Sequence, residues 1–349
     1  MMQPLGNVLA YHWTEASDGA IFKEHSMTRP FLIRSIANPD EWPGIAKWAR
    51  ISHLRKELAG QSVSAHHSSD DRQFQDGVDE AVRLIPWEDA VDAVFDPQGE
   101  RCYVKLAMCP EIRKALPVLS GRPFGPDSAG RLREPLTKLW MGSSGNVTPL
   151  HFDLCHGCLT QIVGRKRVWL FPPSESKWLY PNSANTAGCT VRTSRVDLPG
   201  LMGEDEDSRA QLKKFPQTAN AVGGLVCQVT PGECLYIPPF WWHCVEAVDA
   251  NVSLLMPFDL NMAEQRCVDR QWTRDDGVVI NEVKAYTLNP KALRGSSYDR
   301  IRDDWGRLEE GEGDHAWGDV VLRAFEKEGR ARSRDIHMKM KLDVESVDN

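Results

Sequence analysis

The sequence predicts a mainly β fold with flanking helices, and two observations support this prediction. From Leu136 to Met256, short apolar runs are separated by glycine, proline, asparagine and serine, a spacing typical of an all-β barrel or sandwich. Segments with an apolar period of three and four residues, which favours helices, lie before and after this region. The strand-like runs read LTKLWMG, LTQIVG, KRVWLFPP, CLYIPP and NVSLLMPF.

The chain before this region mixes strands and helices. The apolar run from Phe31 to Ile36 predicts a strand, and the next segment predicts one amphipathic helix that ends at Gly60. The apolar positions of that helix are Ile45, Trp48, Ile51, Leu54 and Leu58. Residues 61–80 are interpreted as a short strand followed by a polar loop, and IPWEDAVDAVFD as a second helix. The run ERCYVKLAMC predicts a strand, and residues 110–133, rich in proline and glycine, predict a connection.

A polar insert interrupts the β region, and a helical extension follows it. Residues 182–220 contain an acidic run that we interpret as solvated surface. Residues 261–285 and 314–328 have helical patterns. We therefore expect one domain over residues 1–260, with the barrel core at about 134–260, and a helical extension over residues 261–349.

The composition argues against several classes of protein. Apolar residues make up 41% and charged residues 26%, as in ordinary soluble proteins, and no run approaches the ~18 apolar residues of a membrane span. A net charge of −7 disfavours a general nucleic-acid binder, which needs positive charge to displace phosphate counterions. The N-terminus lacks a basic stretch before an apolar core, so no secretory signal is expected. The nine cysteines, an odd number in core-like segments, indicate reduced thiols and a cytoplasmic or nuclear location.

A candidate metal site begins in the stretch TPLHFDLCHGCLTQIVGRK, residues 148–166. His151 and Asp153 are two positions apart, and in a strand such residues project from one face about 7 Å apart. An imidazole and a carboxylate can therefore converge on one metal ion. The best third ligand is His243, which follows a strand-like apolar run in GECLYIPPFWWHCVEAV. Two imidazoles and one carboxylate are the ligand set of non-haem Fe(II) oxygenases, although Mn(II) or Ni(II) would also be accepted.

The isolated motif also has a structural interpretation. His151 could be a buried, hydrogen-bonded histidine beside a turn. Lys166 favours a binding site instead, because it follows Asp153 by thirteen residues and is expected on the neighbouring strand. Trp241 and Trp242 could both lie in the core, or one of them could shape the mouth of the site.

The run CHGC from Cys155 to Cys158 could be taken for a redox pair or half of a zinc site. A structural zinc needs four ligands, and the chain has no second CxxC or HxxxH. We therefore expect Cys158 to be a small core residue and His156 to lie at the edge of the pocket.

Four blocks of the sequence together resemble a known family. They are RPFLIRSI followed by WP, GNVTPLHFD, QIVGRKRVWLFPPSESKWLYP and PGECLYIPPFWWHCVE, and they span residues 28 to 258 in the order and spacing of that family. The chain resembles the Jumonji C (JmjC), cupin-like, 2-oxoglutarate oxygenases, and in particular the small-hydroxylase branch that includes the asparaginyl hydroxylase of hypoxia-inducible factor. This resemblance implies a double-stranded β-helix, the jelly-roll barrel of the cupins.

The resemblance also implies roles for six residues. By position, His151, Asp153 and His243 match the iron ligands, and Lys166 matches the lysine that binds the distal carboxylate of 2-oxoglutarate. A buried lysine is costly without an anion, which agrees with this role. Two neutral donors of the same carboxylate site match Thr148 and Tyr103, although a turn residue and a core aromatic are the simpler interpretations of these two.

The sequence departs from the family pattern at two positions. Gly157 stands where the asparaginyl hydroxylase has an asparagine, and Pro257 stands where the last strand of that enzyme has an asparagine next to an aromatic residue. Cosubstrate contacts from these positions must therefore differ from those of that branch.

The activity implied by the resemblance is that of an Fe(II)- and 2-oxoglutarate-dependent dioxygenase. It would use dioxygen to hydroxylate a protein side chain or a small molecule, and would release succinate and carbon dioxide. The alternatives are a histone or other N-methyl-lysine demethylase, a tRNA-base hydroxylase, and a non-catalytic cupin-like binding module. We expect no membrane partner and disfavour nucleic acid, and extensions such as residues 261–349 suggest a homodimer by the same resemblance.

Overall fold

The computed structural model of the protein describes residues 4–258 except for 18, 26–27, 37–41, 69–72, 75–79, 117–136, 154, 182–192 and 204–205. Within these ranges, strands form two sheets and short helices pack against the outer faces. No helix in this part of the chain is long and apolar enough to span a bilayer. The predicted helical extension at residues 261–349, with its expected dimer contacts, lies outside the described residues.

The strands of the described chain are numbered in order. They are β1 Gly6–Asn7, β2 Leu9–His12, β3 Phe31–Arg34, β4 Ser62–Ser68, β5 Glu80–Pro86, β6 Tyr103–Ala107, β7 Lys138–Gly142, β8 Val147–His151, β9 His156–Val163, β10 Lys166–Phe171, β11 Leu225–Val229, β12 Cys234–Ile237, β13 Trp242–Ala247 and β14 Asn251–Phe258.

The helices are short and connect the strands. They are α1 Trp13–Ala16, α2 Ala20–His25, α3 Pro43–Trp48, α4 Ile51–Glu57, α5 Trp87–Phe95, α6 Pro110–Ala115, α7 Leu198–Leu201 and α8 Glu206–Lys214, with 3₁₀ turns at Pro173–Trp178 and Pro216–Asn220.

The strands of the core alternate between the two sheets from β7 to β10 and again from β11 to β14, while β10 and β11 are neighbours in the smaller sheet. The smaller sheet has the order β1-β11-β10-β13-β8, and the larger one has the order β2-β3-β12-β9-β14-β7-β6-β4-β5. From β12 onward, for example, the chain passes from the larger sheet to the smaller one at β13 and back at β14. The predicted mainly β fold with a jelly-roll core is thus confirmed.

Buried apolar side chains form three layers, as the period of two in each strand requires. One cluster lies between the sheets, where Leu170 of β10 faces Leu159 and Leu235 of the larger sheet. A second cluster packs the outer face of the larger sheet against α3 to α6, and a third packs the outer face of the smaller sheet against α7 and its neighbours. The space between the sheets that is not filled by apolar side chains contains the candidate site.

Two local predictions differ from the structure. The single helix expected through Trp48 and Leu54 is divided into α3 and α4, because Arg50 has an extended backbone between them. This break still lets Trp48 and Leu54 reach the same core, where both are fully buried. The short strand expected at the start of residues 61–80 is β4, which extends to Ser68, but β5 was not predicted. Its Val82 and Leu84 alternate like a strand but are 56% and 74% exposed.

Candidate metal centre and active site

A cavity between the two sheets brings all six predicted site residues together. Those six lining residues are Tyr103, Thr148, His151, Asp153, Lys166 and His243. The lining residues that the sequence analysis missed are Trp140, Leu159, Ile237, Val245 and Leu255. These five lie on strands, so the alternation of inward and outward side chains would have found them once one inward residue per strand was known.

Strand pairing places the two histidines opposite each other. His151 ends β8 and is the antiparallel partner of His243 on β13. The register shifts between His243 and Val245, and such an irregularity changes the direction of neighbouring side chains. The two ring centroids are 4.1 Å apart.

Asp153 lies just beyond β8, where a backbone contact fixes it to the segment before β13. The backbone N–H of Phe240 donates to the carbonyl of Asp153 at 2.7 Å. Phe240 has a φ of 67°, in the left-handed region that non-glycine residues rarely adopt. The carboxylate Oδ2 of Asp153 lies 3.9 Å from Nε2 of His243. The strained residue therefore marks the point where the two ligand-bearing segments are joined.

Backbone carbonyls orient both imidazoles. Nδ1 of His151 lies 2.7 Å from the carbonyl oxygen of Pro149, and Nδ1 of His243 lies 3.0 Å from that of Trp241. Because a carbonyl only accepts hydrogen bonds, we assign the ring proton to Nδ1 in each case. Each Nε2 then carries a lone pair, which is the state in which imidazole binds a metal.

These three side chains fit a divalent metal ion. One ligand atom from each of His151, Asp153 and His243 lies within 4.8 Å of the others, and no other group of three such donors occurs in the described ranges. Two neutral nitrogens and one carboxylate match the facial ligand set of non-haem Fe(II). The donor chemistry therefore suits iron.

Burial keeps His243 neutral. The residue is 5% exposed, and burial followed by the neighbouring His151 lowers its pKa to about 4, while Asp153 acts in the opposite direction. At neutral pH the ring therefore has no second proton that a metal would need to displace.

Lys166 extends from the smaller sheet into the same cavity. Its side chain is buried, with the residue 4% exposed, and Nζ donates to Oγ of Ser253 on β14 at 2.7 Å. Burial lowers the pKa of Lys166 from 10.5 to about 7. The expectation that Lys166 lies on the strand next to His151 is wrong, because β13 lies between β8 and β10. The alternation of strands between the sheets accounts for this: β9 enters the larger sheet, and β13 later fills the gap.

Thr148 and Tyr103 lie on opposite walls of the cavity. Thr148 pairs with Val245 in the smaller sheet. Tyr103 belongs to the larger sheet, where its ring centroid is 5.3 Å from that of Trp140. The paired position across the strands is Gly142, at which an added Cβ would lie 2.7 Å from the Tyr103 ring. The glycine is therefore required for the tyrosine to occupy this wall.

The two departures from the family pattern lie next to each other. Gly157 of β9 is the direct partner of Pro257 of β14. A Cβ added at Gly157 would meet only the cavity residues Ile237 and Leu255, at ordinary contact distances of 3.8–3.9 Å. The larger sheet therefore offers no polar side chain to the cavity from this pair.

His156 does not lie at the pocket edge, so that expectation is wrong. It is fully buried, and its Nδ1 lies 2.8 Å from the hydroxyl of Tyr236. The cause is the strand period: His156 points to the outer face of the larger sheet, together with Cys158, whose predicted core position is confirmed. Among the described residues, His151, Asp153 and His243 form the one group that could hold a metal ion. The CHGC run therefore forms no zinc site within the described part of the chain.

The tryptophan pair before His243 is buried. Trp241 is 6% exposed and Trp242 is 1% exposed, and Trp242 donates from Nε1 to Oγ of Ser176 at 2.8 Å. Neither lines the cavity, so the interpretation that places both in the core is correct.

With this geometry established, comparison with known proteins identifies the family. A profile of the cupin-like domain matches residues 20–262. The chain belongs to the cupin-like domain family. The expected resemblance to Jumonji C proteins is confirmed at this level, and members of the group include Fe(II)- and 2-oxoglutarate-dependent hydroxylases and demethylases.

Several curated relatives of this cupin-like chain have Jumonji C names. Jumonji C domain-containing protein 5 of Drosophila melanogaster is 27% identical over 224 residues, 61% of this chain and 51% of its own length. Lysine-specific demethylase 8 of Xenopus tropicalis is 25% identical over 240 residues, which cover 67% of this chain and 49% of the relative. JmjC domain-containing protein D of Dictyostelium discoideum is 40% identical over 115 residues, which cover 33% of this chain and 23% of the relative. The matched region thus spans about half or less of each relative.

Proposed function

We propose that this cupin-like protein is an Fe(II)- and 2-oxoglutarate-dependent dioxygenase that hydroxylates a protein side chain or a small molecule. The observation that carries the proposal is the presence of three metal donors and one buried ammonium in the same cavity. A sugar-binding or isomerase cupin has no need for such a lysine.

The proposed roles follow from the chemistry of each side chain. His151, Asp153 and His243 would hold Fe(II), with Pro149 and Trp241 fixing the two rings through their carbonyls. When bound, iron and 2-oxoglutarate supply the oxidising chemistry, while the protein supplies position and shelter from water. The apolar wall residues Leu159, Ile237 and Leu255 exclude water from the space in which a C–H bond would react.

Lys166 is the proposed anchor of the distal carboxylate of 2-oxoglutarate. Its hydrogen bond to Ser253 is to a neutral group, and burial is the cause of its lowered pKa, so the ammonium lacks a compensating negative charge. A buried cation of this kind is stabilised by an anionic ligand. Thr148 and Tyr103 would complete the carboxylate site from the two facing walls.

N-methyl-lysine demethylation is the second candidate. It is favoured by the names of two relatives, lysine-specific demethylase 8 of Xenopus tropicalis and lysine-specific demethylase JMJ30 of Arabidopsis thaliana. Kinship with the asparaginyl hydroxylase branch remains a proposal, which Gly157 and Pro257 weaken because neither provides the polar group of that branch. Formaldehyde release from methylated peptides would distinguish demethylation from stable hydroxylation.

The substrate partner and location are also proposals. We propose a protein or small-molecule substrate rather than nucleic acid, in agreement with the net charge of −7. We propose a cytoplasmic or nuclear location, in agreement with the free state of all seven cysteines in the described ranges. Fluorescence of the tagged full-length chain in cells would test the location.

The first experiment is succinate formation by the full-length protein with Fe(II), ascorbate and 2-oxoglutarate. Slow turnover is expected in the wild type, and none in His243→Ala or Lys166→Ala. The exposed residues His53 and Lys213 give matched controls, since His53→Ala and Lys213→Ala remove the same groups away from the cavity. If wild-type protein binds neither iron nor 2-oxoglutarate, the non-catalytic binding module becomes the better explanation.

A further inference from the structure

Trp140 has a buried hydrogen-bond donor that no described protein group satisfies. Its Nε1 is shielded from solvent and has no acceptor among the described residues, although the side chain lines the cavity. Buried indole N–H groups usually have a partner, because leaving one unpaired is costly. A ligand in the cavity is the acceptor that would remove this cost.

Ser253 links Trp140 to the buried lysine. Trp140 of β7 is the direct antiparallel partner of Ser253 of β14, and Ser253 accepts the hydrogen bond from Lys166. Directly opposed side chains in an antiparallel pair have Cβ atoms about 4.5–5.5 Å apart. Lys166 has three N–H donors and gives one to Ser253. Trp140 and Lys166, which both line the cavity, therefore both neighbour Ser253.

Aromatic and cationic neighbours fix the plane of the Trp140 ring. Its centroid is 5.3 Å from that of Tyr103, and the ammonium of Lys105 lies 5.7 Å from the Trp140 ring and 5.8 Å from the Tyr103 ring. Lys105 is also the strand partner of Trp140. These contacts orient the indole and add positive charge at the same end of the cavity, which favours an anionic ligand.

We propose that Trp140 is a further positioning residue of the cosubstrate site, where its Nε1 donates a hydrogen bond to the carboxylate that Lys166 binds. This inference rests on the proposed function. A carboxylate has about four lone-pair sites and can accept from both residues at once. A hydrogen bond from an N–H group to a charged oxygen is stronger than one to a neutral oxygen. Trp140 therefore favours a 2-oxo acid that has a distal carboxylate over one that lacks it.

The test compares two ligands on full-length protein loaded with Zn(II), a diamagnetic ion that the same nitrogen and oxygen donors accept. 2-Oxoglutarate has the distal carboxylate, and 2-oxopentanoate has a methyl group in its place. We expect Trp140→Phe, which retains an aromatic ring, to bind 2-oxoglutarate about tenfold or more weakly by calorimetry. Affinity for 2-oxopentanoate, measured by NMR titration, should be the same in the two proteins. Trp140→His, which retains a ring N–H, should recover part of the lost affinity.

Trp169→Phe is the matched control. Trp169 is also buried, at 4% exposure, but packs on the outer face of the smaller sheet away from the cavity. Its substitution should leave 2-oxoglutarate affinity unchanged. An equal loss in both variants would mean that packing is responsible, and this would overturn the role of Trp140.

The indole N–H resonance of Trp140 gives a second measurement on the wild-type chain. It is identified by its absence from the spectrum of Trp140→Phe, and we expect 2-oxoglutarate but not 2-oxopentanoate to move it downfield. If both ligands shift the resonance equally, or if neither shifts it, the role of Trp140 is overturned. The proposed function still stands in that case, provided that 2-oxoglutarate binds. A wild-type chain that binds neither Zn(II) nor 2-oxoglutarate would overturn the proposed function itself.

Discussion

The two ends of the cavity are built in different ways. At the metal end, all three candidate ligands belong to the smaller sheet or its immediate edge, on β8 and β13. At the lysine end, Lys166 comes from the smaller sheet but donates to Ser253 of the larger one, which also contributes Trp140 and Tyr103 to the cavity lining. One end is therefore assembled within a sheet, and the other depends on how two sheets face each other.

This difference separates local from global requirements. His151 is fixed by a strand end and by its contact with the carbonyl of Pro149, and Asp153 by the backbone hydrogen bond from Phe240 just before β13, so both are held at the edge of the smaller sheet. The surroundings of Lys166 exist only when β10, β14 and β7 pack across the core. Changes at the metal end should therefore remove one ligand with little effect on the fold, while changes at the lysine end should alter both binding and stability.

Removing a metal ligand should have the largest effect. Asp153→Ala is expected to weaken Fe(II) binding by more than about a hundredfold. Removing a residue that only hydrogen-bonds to a metal ligand already lowers metal affinity about 10–100-fold, and Asp153 is itself a candidate ligand. The melting temperature of the metal-free protein should change little, since the Asp153 side chain is 36% exposed. Metal titration followed by thermal unfolding measures both quantities. Unchanged iron affinity would exclude Asp153 as a ligand.

Lys166→Met should weaken 2-oxoglutarate binding at the lysine end of the cavity without affecting iron binding at the metal end. We expect 2-oxoglutarate affinity to fall about tenfold to a hundredfold, because a charge-assisted bond is lost, while iron affinity stays the same. Without ligand, the variant should melt at a higher temperature than the wild type, because a buried ammonium without a compensating anion is replaced by an apolar chain of similar length. Lys213→Met, at an exposed position, serves as the control. A lower melting temperature would show that Lys166 stabilises the empty cavity.

The affinity for 2-oxoglutarate should depend on pH above neutrality. Burial lowers the pKa of Lys166 to about 7 in the free protein, and a bound carboxylate would raise it again. Above pH 7 the lysine must therefore take up a proton on binding, so affinity should fall by up to about tenfold per pH unit, with little change just below pH 7. Calorimetry in buffers of different ionisation enthalpy measures the proton uptake. Lys166→Arg, which stays charged, should bind without this dependence, and an equal pH dependence in that variant would rule out Lys166 as its source.

Substitutions of two glycines in the larger sheet should have smaller effects, and they test whether Tyr103 needs its present position. Gly142→Ala would place a Cβ 2.7 Å from the Tyr103 ring, so we expect about 1–3 kcal/mol of destabilisation and a moderate loss of 2-oxoglutarate affinity. Gly157→Ala meets nothing closer than 3.8 Å and should change neither quantity by much. Urea unfolding and calorimetry provide the two measurements. Equal effects of the two substitutions would mean that Tyr103 does not need its present position.

Parts of the fold could be predicted because strand patterns and turn residues are local. The runs that became β9, β10 and β12 were recognised from their apolar residues. The helix break at Arg50 and the strand β5 were missed, because both depend on packing against distant elements. The inward or outward direction of each strand was also undetermined, which is why His156 was placed at the pocket instead of in the core.

The sequence by itself determined the chemistry of this protein, and the tertiary structure decided its geometry. His151 and Asp153 share a strand end, so their spacing of two residues is enough to indicate a metal site. His243 and Lys166 were also singled out from their sequence context, and the resemblance to Jumonji C proteins added Thr148 and Tyr103, but sequence spacing alone does not bring residues from different strands into one cavity. The pairing of β13 between β8 and β10, and of β7 with β14, does this and places Trp140 opposite Ser253, the acceptor of the lysine hydrogen bond. Such contacts arise from strand register and sheet packing, which depend on burial over the whole domain.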